Sequence, residues 1–254
     1  MSYCPQGSDL IRHLEDWYAS PLGVELAKQE EVCLERMLCD TFGYYLLQVG
    51  LNAGFAEAVA TSRIRHRVLL PLAACYDSLG LQIAARPERF PIATDSVDAV
   101  FLPHTLDFTD EPHQVLREVE RVLIPDGRVM IIGFNALSLW GLWRLVPRGR
   151  GRMPWCGDFL TPFRVRDWLS LLGFHVEMQE MMMFRPPWRR TLLGQLSFLD
   201  SLGSRFWPLF GGVYAIRAVK RVSTLTPLRP SWKTRRRLLP GGAIEPTVRG
   251  GSHV

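Results

Sequence analysis

The fold of this chain is decided by residues 90–135, which read FPIATDSVDAVFLPHTLDFTDEPHQVLREVERVLIPDGRVMIIGFN. The apolar run at 97–102 predicts a buried strand, and the run at 129–134 predicts a second one. Between them, apolar residues recur at helical spacing opposite charged ones, which predicts an amphipathic helix over 112–123. A Pro-Asp-Gly turn at 125–127 separates this helix from the second strand. Strand, helix and strand in this order predict a parallel pair of strands.

Similar patterns continue on both sides of this stretch. Further strands are predicted at 44–49, 67–72, 81–85, 176–184 and 213–221. Further helices are predicted at 10–19, 22–39, 55–61 and 160–172. Thr161 is expected to cap the last helix, with Pro162 at its first position and Gly173 at its end. Strands that alternate with helices predict an α/β fold, in which helices cover both faces of a seven-stranded, mostly parallel sheet.

Three motifs within the deciding stretch carry a family resemblance. They are Ser96-Val97-Asp98-Ala99-Val100, His104-Thr105-Leu106-Asp107 and the run of residues 117–127 that ends in Pro-Asp-Gly. Their order and spacing resemble the class I S-adenosylmethionine-dependent methyltransferases, in the branch with ubiquinone- and menaquinone-pathway enzymes. Residues 133–142 are similar to a proteobacterial subfamily. The resemblance extends over about residues 40–221 and implies a Rossmann-like fold, S-adenosylmethionine as cofactor and methyl transfer as activity.

The resemblance also assigns a cofactor loop after the first strand. In the family this loop cradles the methionine part of the cofactor, and here it contains Gln48, Gly50, Asn52 and Gly54. Gln48 stands where the family has an acid, so it brings no negative charge to the loop. Asn52 stands where the family has a glycine, and because asparagine tolerates positive φ better than most residues, the turn is expected to survive.

Two more positions follow from the resemblance. Residues 71–74 lack the family's ribose-binding acid, and Glu88 is the acid expected near the adenosine. His104 is expected to contact the cofactor or to act as a catalytic base; the alternative is a buried, hydrogen-bonded histidine. Asp98 and Asp107 are expected to serve the structure rather than the chemistry.

Composition limits the remaining classes of function. The longest uncharged apolar run, at 129–143, is shorter than the roughly 20 residues of a membrane span. The five cysteines are odd in number and none form a CxxC pair, which predicts free thiols and no metal site. No signal peptide is recognisable, so a cytoplasmic location is expected.

The basic and aromatic residues suggest possible partners. Residues 137–152 and 184–210 interleave tryptophan and leucine with arginine, which suits peripheral membrane contact or a lid over an apolar substrate; the alternative is a helical cap packed on the main domain. Residues 217–254 hold nine lysines or arginines against one acid, Glu245. Because this basic stretch lacks base-reading motifs and aromatic platforms, nucleic acid is not the expected partner.

These patterns divide the chain into three parts. Residues 1–39 are expected to form a helical extension, residues 40–221 the methyltransferase domain with a helical insert at 185–210, and residues 222–254 a basic, disordered tail. The expected function is methyl transfer from S-adenosylmethionine to a small, apolar acceptor. Two alternatives stay open: a methyltransferase-like binding protein that has lost catalysis, and an adaptor for membranes or nucleic acid.

Overall fold

A computed structural model describes residues 8–52, 54–71, 87–144, 153–186, 207 and 209–221. The strand predicted at 81–85, most of the insert at 185–210 and the tail at 222–254 lie outside these residues. Within them, the α/β fold class predicted from the sequence is confirmed. In the described residues six strands form one sheet, and the remaining strand of the seven predicted, at 81–85, lies outside them.

The sheet has the strand order β2-β1-β3-β4-β6-β5. Its strands are β1 (Gly43–Val49), β2 (Ile64–Leu70), β3 (Val97–Pro103), β4 (Leu123–Phe134), β5 (Phe174–Met182) and β6 (Val213–Lys220). Strands β1 to β4 are parallel, whereas β6 is antiparallel to both β4 and β5. The carboxyl ends of the four parallel strands therefore share one edge, which we call the carboxyl edge.

Six α-helices connect or flank these strands within the part of the chain that the structure describes. They are α1 (Ser8–Tyr18), α2 (Pro21–Leu38), α3 (Ala56–Thr61), α4 (Pro112–Val122), α5 (Leu139–Trp143) and α6 (Pro162–Leu171). The predicted cap of α6 is confirmed, because the Thr161 hydroxyl accepts a hydrogen bond from the Arg164 N–H at 3.3 Å and Gly173 takes φ of 81°. Ser20 caps α2 in the same way.

Two apolar cores cover the two faces of the sheet. Successive residues of a strand point to opposite faces, so Leu46 and Phe101 belong to one core and Leu47 and Val100 to the other. Helices α1, α2 and α3 cover the first face, and α4 and α6 cover the second. The extension therefore packs on the sheet and is part of its core.

Two local features differ from the sequence-based expectations. Strand β4 begins at Leu123, so the predicted turn at 125–127 lies inside it, and Asp126 takes φ of 61°. Cys33 and Cys39 are free as expected, but the expectation is wrong for Cys156, which is disulfide-bonded. Sequence spacing does not reveal which distant cysteines the fold brings together. No helix within the described ranges combines the length and apolar character needed to cross a membrane.

Candidate functional site

The candidate site lies at the carboxyl edge between β1 and β3. Strand order reverses there, since the chain runs from β1 to β2 on one side and returns to β3 on the other. In open parallel sheets, ligands bind at this kind of switch point. The Thr105 hydroxyl donates a hydrogen bond to the Val49 carbonyl and so joins the segment after β3 to the end of β1.

The loop after β1 has a backbone that two glycines shape. Gly50 takes φ of 111° and donates its N–H to the Leu70 carbonyl at 2.9 Å. Gly54 takes φ of 84°, and a Cβ at this position would lie 3.1 Å from the Cβ of Ala27. Both conformations disfavour any residue with a side chain. The backbone of the loop at the switch point therefore depends on glycine at both positions; Gly50 is buried there and Gly54 is exposed.

Gln48 is buried at the end of β1, and its side chain is hydrogen-bonded to the backbone of this loop. Its side-chain Nε2 donates to the Leu51 carbonyl at 2.7 Å, and Leu51 is itself buried. A carboxylate cannot donate a hydrogen bond, so the family's usual acid could not make this contact. The amide thus supports the shape of the loop and adds no charge to it.

Asn52 lies exposed on the same loop, without positive φ. The tolerance of asparagine for positive φ is therefore not used at this position. Gly50 and Gly54 take the left-handed conformations on either side, so position 52 does not need one. Asn52 is exposed, so its side-chain amide is accessible from solvent at this loop.

His104 follows β3 directly and has an unusual environment. Its φ is 53°, a left-handed conformation that costs about 1–3 kcal/mol in a residue other than glycine. Its side chain is fully buried, with Nδ1 3.0 Å from Asp107 Oδ2 and Nε2 2.9 Å from Glu30 Oε1. Both ring nitrogens are therefore occupied by carboxylates, as in the hydrogen-bonded alternative considered for this residue.

The carboxylates around His104 extend into a buried network. The Tyr18 hydroxyl donates to Glu30 Oε2 at 2.9 Å, and the Phe134 N–H donates to Asp107 Oδ2 at 2.9 Å. These contacts connect α1, α2, β3 and β4 through polar groups. We refer to Tyr18, Glu30, His104 and Asp107 as the buried network.

Electrostatics keeps the imidazole of this network charged. Burial alone would lower the pKa of His104, but the nearby carboxylates of Glu30 and Asp107 outweigh it and raise the pKa to about 9. Burial raises the pKa of Asp107, and the contact with His104 opposes that rise. Burial and Glu30 together raise the pKa of Tyr18 well above its ordinary value. The raised pKa favours the protonated form of His104, whose ring lies between the carboxyl groups of Glu30 and Asp107.

Glu30 and Tyr18 were not predicted as site residues from the sequence, although the position of Glu30 in α2 is unusual. It lies four residues after Leu26 and four before Leu34, so it occupies the apolar stripe of α2. A charged residue in a buried stripe needs a partner of opposite charge. The sequence places that partner 74 residues away at His104, where only the fold reveals it.

Glu88 lies at the carboxyl edge but outside the buried network. It is half-buried, and its Oε1 accepts a hydrogen bond from the Thr109 hydroxyl at 2.7 Å. Thr109 follows the short 3₁₀ helix Thr105–Asp107. Glu88 is thus held at the end of the segment after β3, next to Thr109, whereas His104 begins that segment.

Aromatic rings enclose the edge of the site beyond β4. The Phe134 ring lies 4.2 Å from the His104 ring and 4.9 Å from the Phe159 ring, centroid to centroid. Trp17 and Trp140 each lie within about 6 Å of Phe134, at 6.2 and 6.0 Å. The buried network therefore borders an apolar wall contributed by α1, β4 and α5.

Other conspicuous acids have structural roles. Asp98 Oδ2 accepts the N–H groups of Tyr44 and Tyr45, each at 2.9 Å, and so fixes the start of β1 against β3. Glu118 pairs with Arg121 at 2.8 Å and also accepts the Phe90 N–H. In the part of the chain that the structure describes, no three His, Cys, Asp or Glu side chains cluster as metal ligands.

Comparisons with known proteins agree with this geometry. Residues 43–131 match the sequence profile of the family described as "Methyltransferase domain". An uncharacterized protein of Escherichia coli K12, YafS, is 39% identical over 162 residues, which are 63% of this chain and 65% of that protein. The chain thus spans just under two thirds of the length of this relative.

Solved structures share the fold at low sequence identity. One is a chain from the Haloferax volcanii complex between the Trm112 methyltransferase activator and a methyltransferase, with a TM-score of 0.59 and 16% identity, covering 84% of this chain and 98% of that one. Another is a geranyl diphosphate methyltransferase bound to GPP and sinefungin, with a TM-score of 0.54 and 15% identity, covering 82% of this chain and 83% of that one. Both likenesses establish the class I methyltransferase fold.

Proposed function

We propose that the chain transfers a methyl group from S-adenosylmethionine to a small, apolar acceptor, because residues 43–131 match the methyltransferase-domain profile and the sheet has the class I methyltransferase fold. One observation carries the proposal. A loop with two left-handed glycines lies at the switch point of the sheet and is tied to the segment after β3 by the Thr105 hydroxyl. This placement is where open α/β sheets bind nucleotide-like ligands.

The residues of the loop suit the methionine end of the cofactor. Gly50 and Gly54 give the loop its two left-handed conformations, and Gln48 holds the loop in shape through its bond to Leu51. The exposed amide of Asn52 can donate to a carboxylate or accept from an ammonium group. Glu88, held by Thr109, is the acid that we assign to the adenosine side.

We assign His104 a positioning role in this reaction. Its ring is fully enclosed and bonded to Glu30 and Asp107, so the side chain acts through the backbone that it fixes. That backbone continues into Thr105, whose hydroxyl holds the end of β1. The buried network thus sets the distance between the two loops that flank the switch point.

Methyl transfer requires little from the protein beyond alignment of the two reactants. S-adenosylmethionine supplies an electrophilic methyl group on a sulfonium, and transfer to a nucleophile proceeds by in-line displacement. Holding two reactants in line can account for roughly 7–11 kcal/mol of a barrier. The aromatic wall of Phe134, Trp17, Trp140 and Phe159 excludes water and favours an apolar acceptor.

A transfer assay tests the proposal. The chain is incubated with S-adenosylmethionine tritiated on its methyl group and with an organic-solvent extract of bacterial cells. We expect tritium in an extractable product, and we expect S-adenosylhomocysteine to suppress its formation. Denatured protein serves as the control. If the chain binds S-adenosylmethionine but forms no labelled product with polar or apolar extracts, the proposed methyltransferase activity is contradicted.

A second function, a binding protein without catalysis, has its own supporting observation. The amide of Gln48 is occupied by the Leu51 carbonyl and carries no charge, so the loop attracts a sulfonium less strongly than an acid would. Such a protein would bind S-adenosylmethionine and S-adenosylhomocysteine with similar affinity and release no labelled product. The transfer assay and a binding measurement together separate the two functions.

A further inference from the structure

We propose that the buried network supplies the negative charge that balances the sulfonium of S-adenosylmethionine at the switch point. The inference rests on the proposed methyl transfer and deepens it, because it gives Glu30 and Asp107 an electrostatic role toward the cofactor. It also predicts that the chain distinguishes the charged cofactor from the product, which has lost that charge.

The loop after β1 provides no charge of its own. Residues 41–56 contain no acidic or basic side chain. Gly50 is buried, and so are Gln48 and Leu51 on either side of it. A cation in a buried site is costly unless an opposite charge lies near it. The counter-charge for a sulfonium bound at this loop must therefore come from another segment of the chain.

The buried network contains the acids that can provide this charge. Among the residues that the structure describes, Glu30 and Asp107 are the only acidic side chains that are buried. Glu25 and Asp158, by contrast, have partly or largely exposed carboxylates, and each of them pairs with an arginine. Because solvent screens exposed charges much more than buried ones, the two buried acids dominate the field at the site.

Two carboxyl groups share one imidazole in the network, which leaves an excess of negative charge. Their other hydrogen bonds in the described structure come from neutral donors, the Tyr18 hydroxyl to Glu30 Oε2 and the Phe134 N–H to Asp107 Oδ2. Hydrogen bonds donated to a carboxylate favour its ionised form. With both carboxylates ionised and the His104 ring protonated, one negative charge remains without a counter-charge.

One oxygen of the network has no hydrogen-bond partner. Asp107 Oδ1 is buried, and no donor in the described structure reaches it. A buried acceptor that has lost its water without gaining a partner costs free energy. A cation nearby stabilises such an oxygen through its field, even without direct contact. The unpartnered oxygen is therefore a second indication that a positive charge completes the network.

The network borders the cofactor loop from two directions. A Cβ at Gly54 would lie 3.9 Å from Cδ1 of the Tyr18 ring, so this ring lies against the loop. His104 precedes Thr105, whose hydroxyl donates to the Val49 carbonyl at the start of the loop. Because the attraction between charges extends over several ångströms where water is scarce, the network stabilises a cation at the loop without touching it.

The consequence for the reaction is a preference for cofactor over product. When the methyl group leaves, its bond to sulfur breaks, sulfur keeps the electron pair, and the sulfonium becomes a neutral thioether. S-adenosylmethionine and S-adenosylhomocysteine share every other charged group, so the network attracts the first more strongly than the second. This difference favours replacement of the product by fresh cofactor.

Calorimetric titration with each of the two ligands at neutral pH tests this role with the full chain. The test variant is Glu30→Gln/Asp107→Asn, which leaves no carboxylate in the network, so the network cannot be negative whatever the state of His104. The matched control is Tyr18→Phe, because it removes a hydrogen bond from the same network but no charge. Circular dichroism and thermal melts verify that each variant folds. Glu30→Gln alone, titrated at pH 6 so that His104 keeps its proton beside Asp107, repeats the test with a smaller change.

We expect the wild type to bind S-adenosylmethionine at least about fivefold more tightly than S-adenosylhomocysteine. Tyr18→Phe should keep this ratio even where it weakens both ligands, whereas the variants that remove charge should reduce it to about twofold or less. A ratio that is the same in all proteins, or equal affinity of the wild type for both ligands, would overturn the counter-charge role and leave the proposed cofactor site standing. If neither ligand binds the wild type, the proposed function is contradicted together with this inference.

Discussion

Glu30→Gln tests the buried network, because it removes one charge and leaves the shape of the side chain almost unchanged. Glutamine can still accept from the His104 Nε2–H and bond to the Tyr18 hydroxyl, so no cavity forms. What is lost is the carboxylate that contributes most to the high pKa of His104. We expect the variant to fold and to lose stability mainly at low and neutral pH.

The magnitude follows from the pKa of His104. The pKa is about 9 in the folded chain, against an ordinary value of 6.5. Because each pKa unit corresponds to about 1.4 kcal/mol, protonation of His104 contributes about 3 kcal/mol to the free energy of unfolding. A raised folded pKa makes this contribution complete below pH 6.5, and it disappears as pH rises through about 9.

The assay is urea unfolding of wild type and variant at pH 6 and at pH 9.5. We expect Glu30→Gln to cost about 2–3 kcal/mol at the lower pH, and the two proteins to approach each other at the higher pH, where His104 is mostly neutral in both. Glu35→Gln is the matched control, since Glu35 lies exposed on the same helix and its change should cost less than about 0.5 kcal/mol at either pH. A cost for Glu30→Gln that is equal at both pH values, or larger at pH 9.5, would refute the reasoning.

Three further changes test other contacts by denaturant unfolding. Gln48→Glu should cost about 1–3 kcal/mol, because the carboxylate cannot donate to the Leu51 carbonyl; an increase in stability would contradict the loop geometry. Lys220→Met should cost about 2–3 kcal/mol, since the buried ammonium donates to Asp95 Oδ1 at 2.8 Å and to the carbonyls of Glu120 and Leu123 at 2.7 and 2.8 Å. Arg221→Met is its control and should cost under about 0.5 kcal/mol, because the ion pair of Arg221 with Asp126 is exposed. Tyr214→Phe should leave stability unchanged or raise it by up to about 1 kcal/mol, since the buried hydroxyl has no hydrogen-bond partner in the described structure; a loss above about 1 kcal/mol would show that it has one.

Elements with local signals were predictable from the sequence. The strand predicted at 97–102 and the helix at 112–123 match β3 and α4 to within a residue at each end. Periodicity, a proline at the helix start and a run of β-branched residues act over a few residues, so a single sequence contains them. The same reason explains the confirmed cap at Thr161.

Features that depend on distant residues were not predictable. The contact between Glu30 and His104 joins residues 74 positions apart, and no pattern along the chain specifies it. The start of β4 at Leu123 was not predicted because Pro125-Asp126-Gly127 has turn composition; Leu123 nevertheless pairs with Val97, and the register shifts before Arg128 pairs with Ala99. Which residues of the loop after β1 take positive φ was also not predictable, and Gly50 and Gly54 take it while Asn52 does not.

The cofactor-binding residues stay predictions, which rest partly on a family resemblance and partly on the fold. Their place in the chain came from a resemblance, and the fold gathers Gln48, Gly50, Asn52 and Gly54 into one loop at the switch point. What the sequence could not supply is the reason for Gln48. Its amide bonds within the loop, so its departure from the family's acid has a structural cause as well as an electrostatic consequence.

Calorimetric titration with S-adenosylhomocysteine tests the central claim, that the loop after β1 is the cofactor site. We predict one site per chain for the wild type and at least tenfold weaker binding for Gly50→Ala, because a side chain at φ of 111° displaces the loop backbone. Gly173→Ala is the matched control: it strains a glycine with φ of 81° far from the site, where a Cβ meets only the Arg221 carbonyl at 3.7 Å, and it should bind like the wild type. Either of two results would contradict the claim. One is no heat of binding at about 1 mM ligand, a concentration at which even a dissociation constant of 1 mM would be detected. The other is equal affinity of Gly50→Ala and wild type for the ligand.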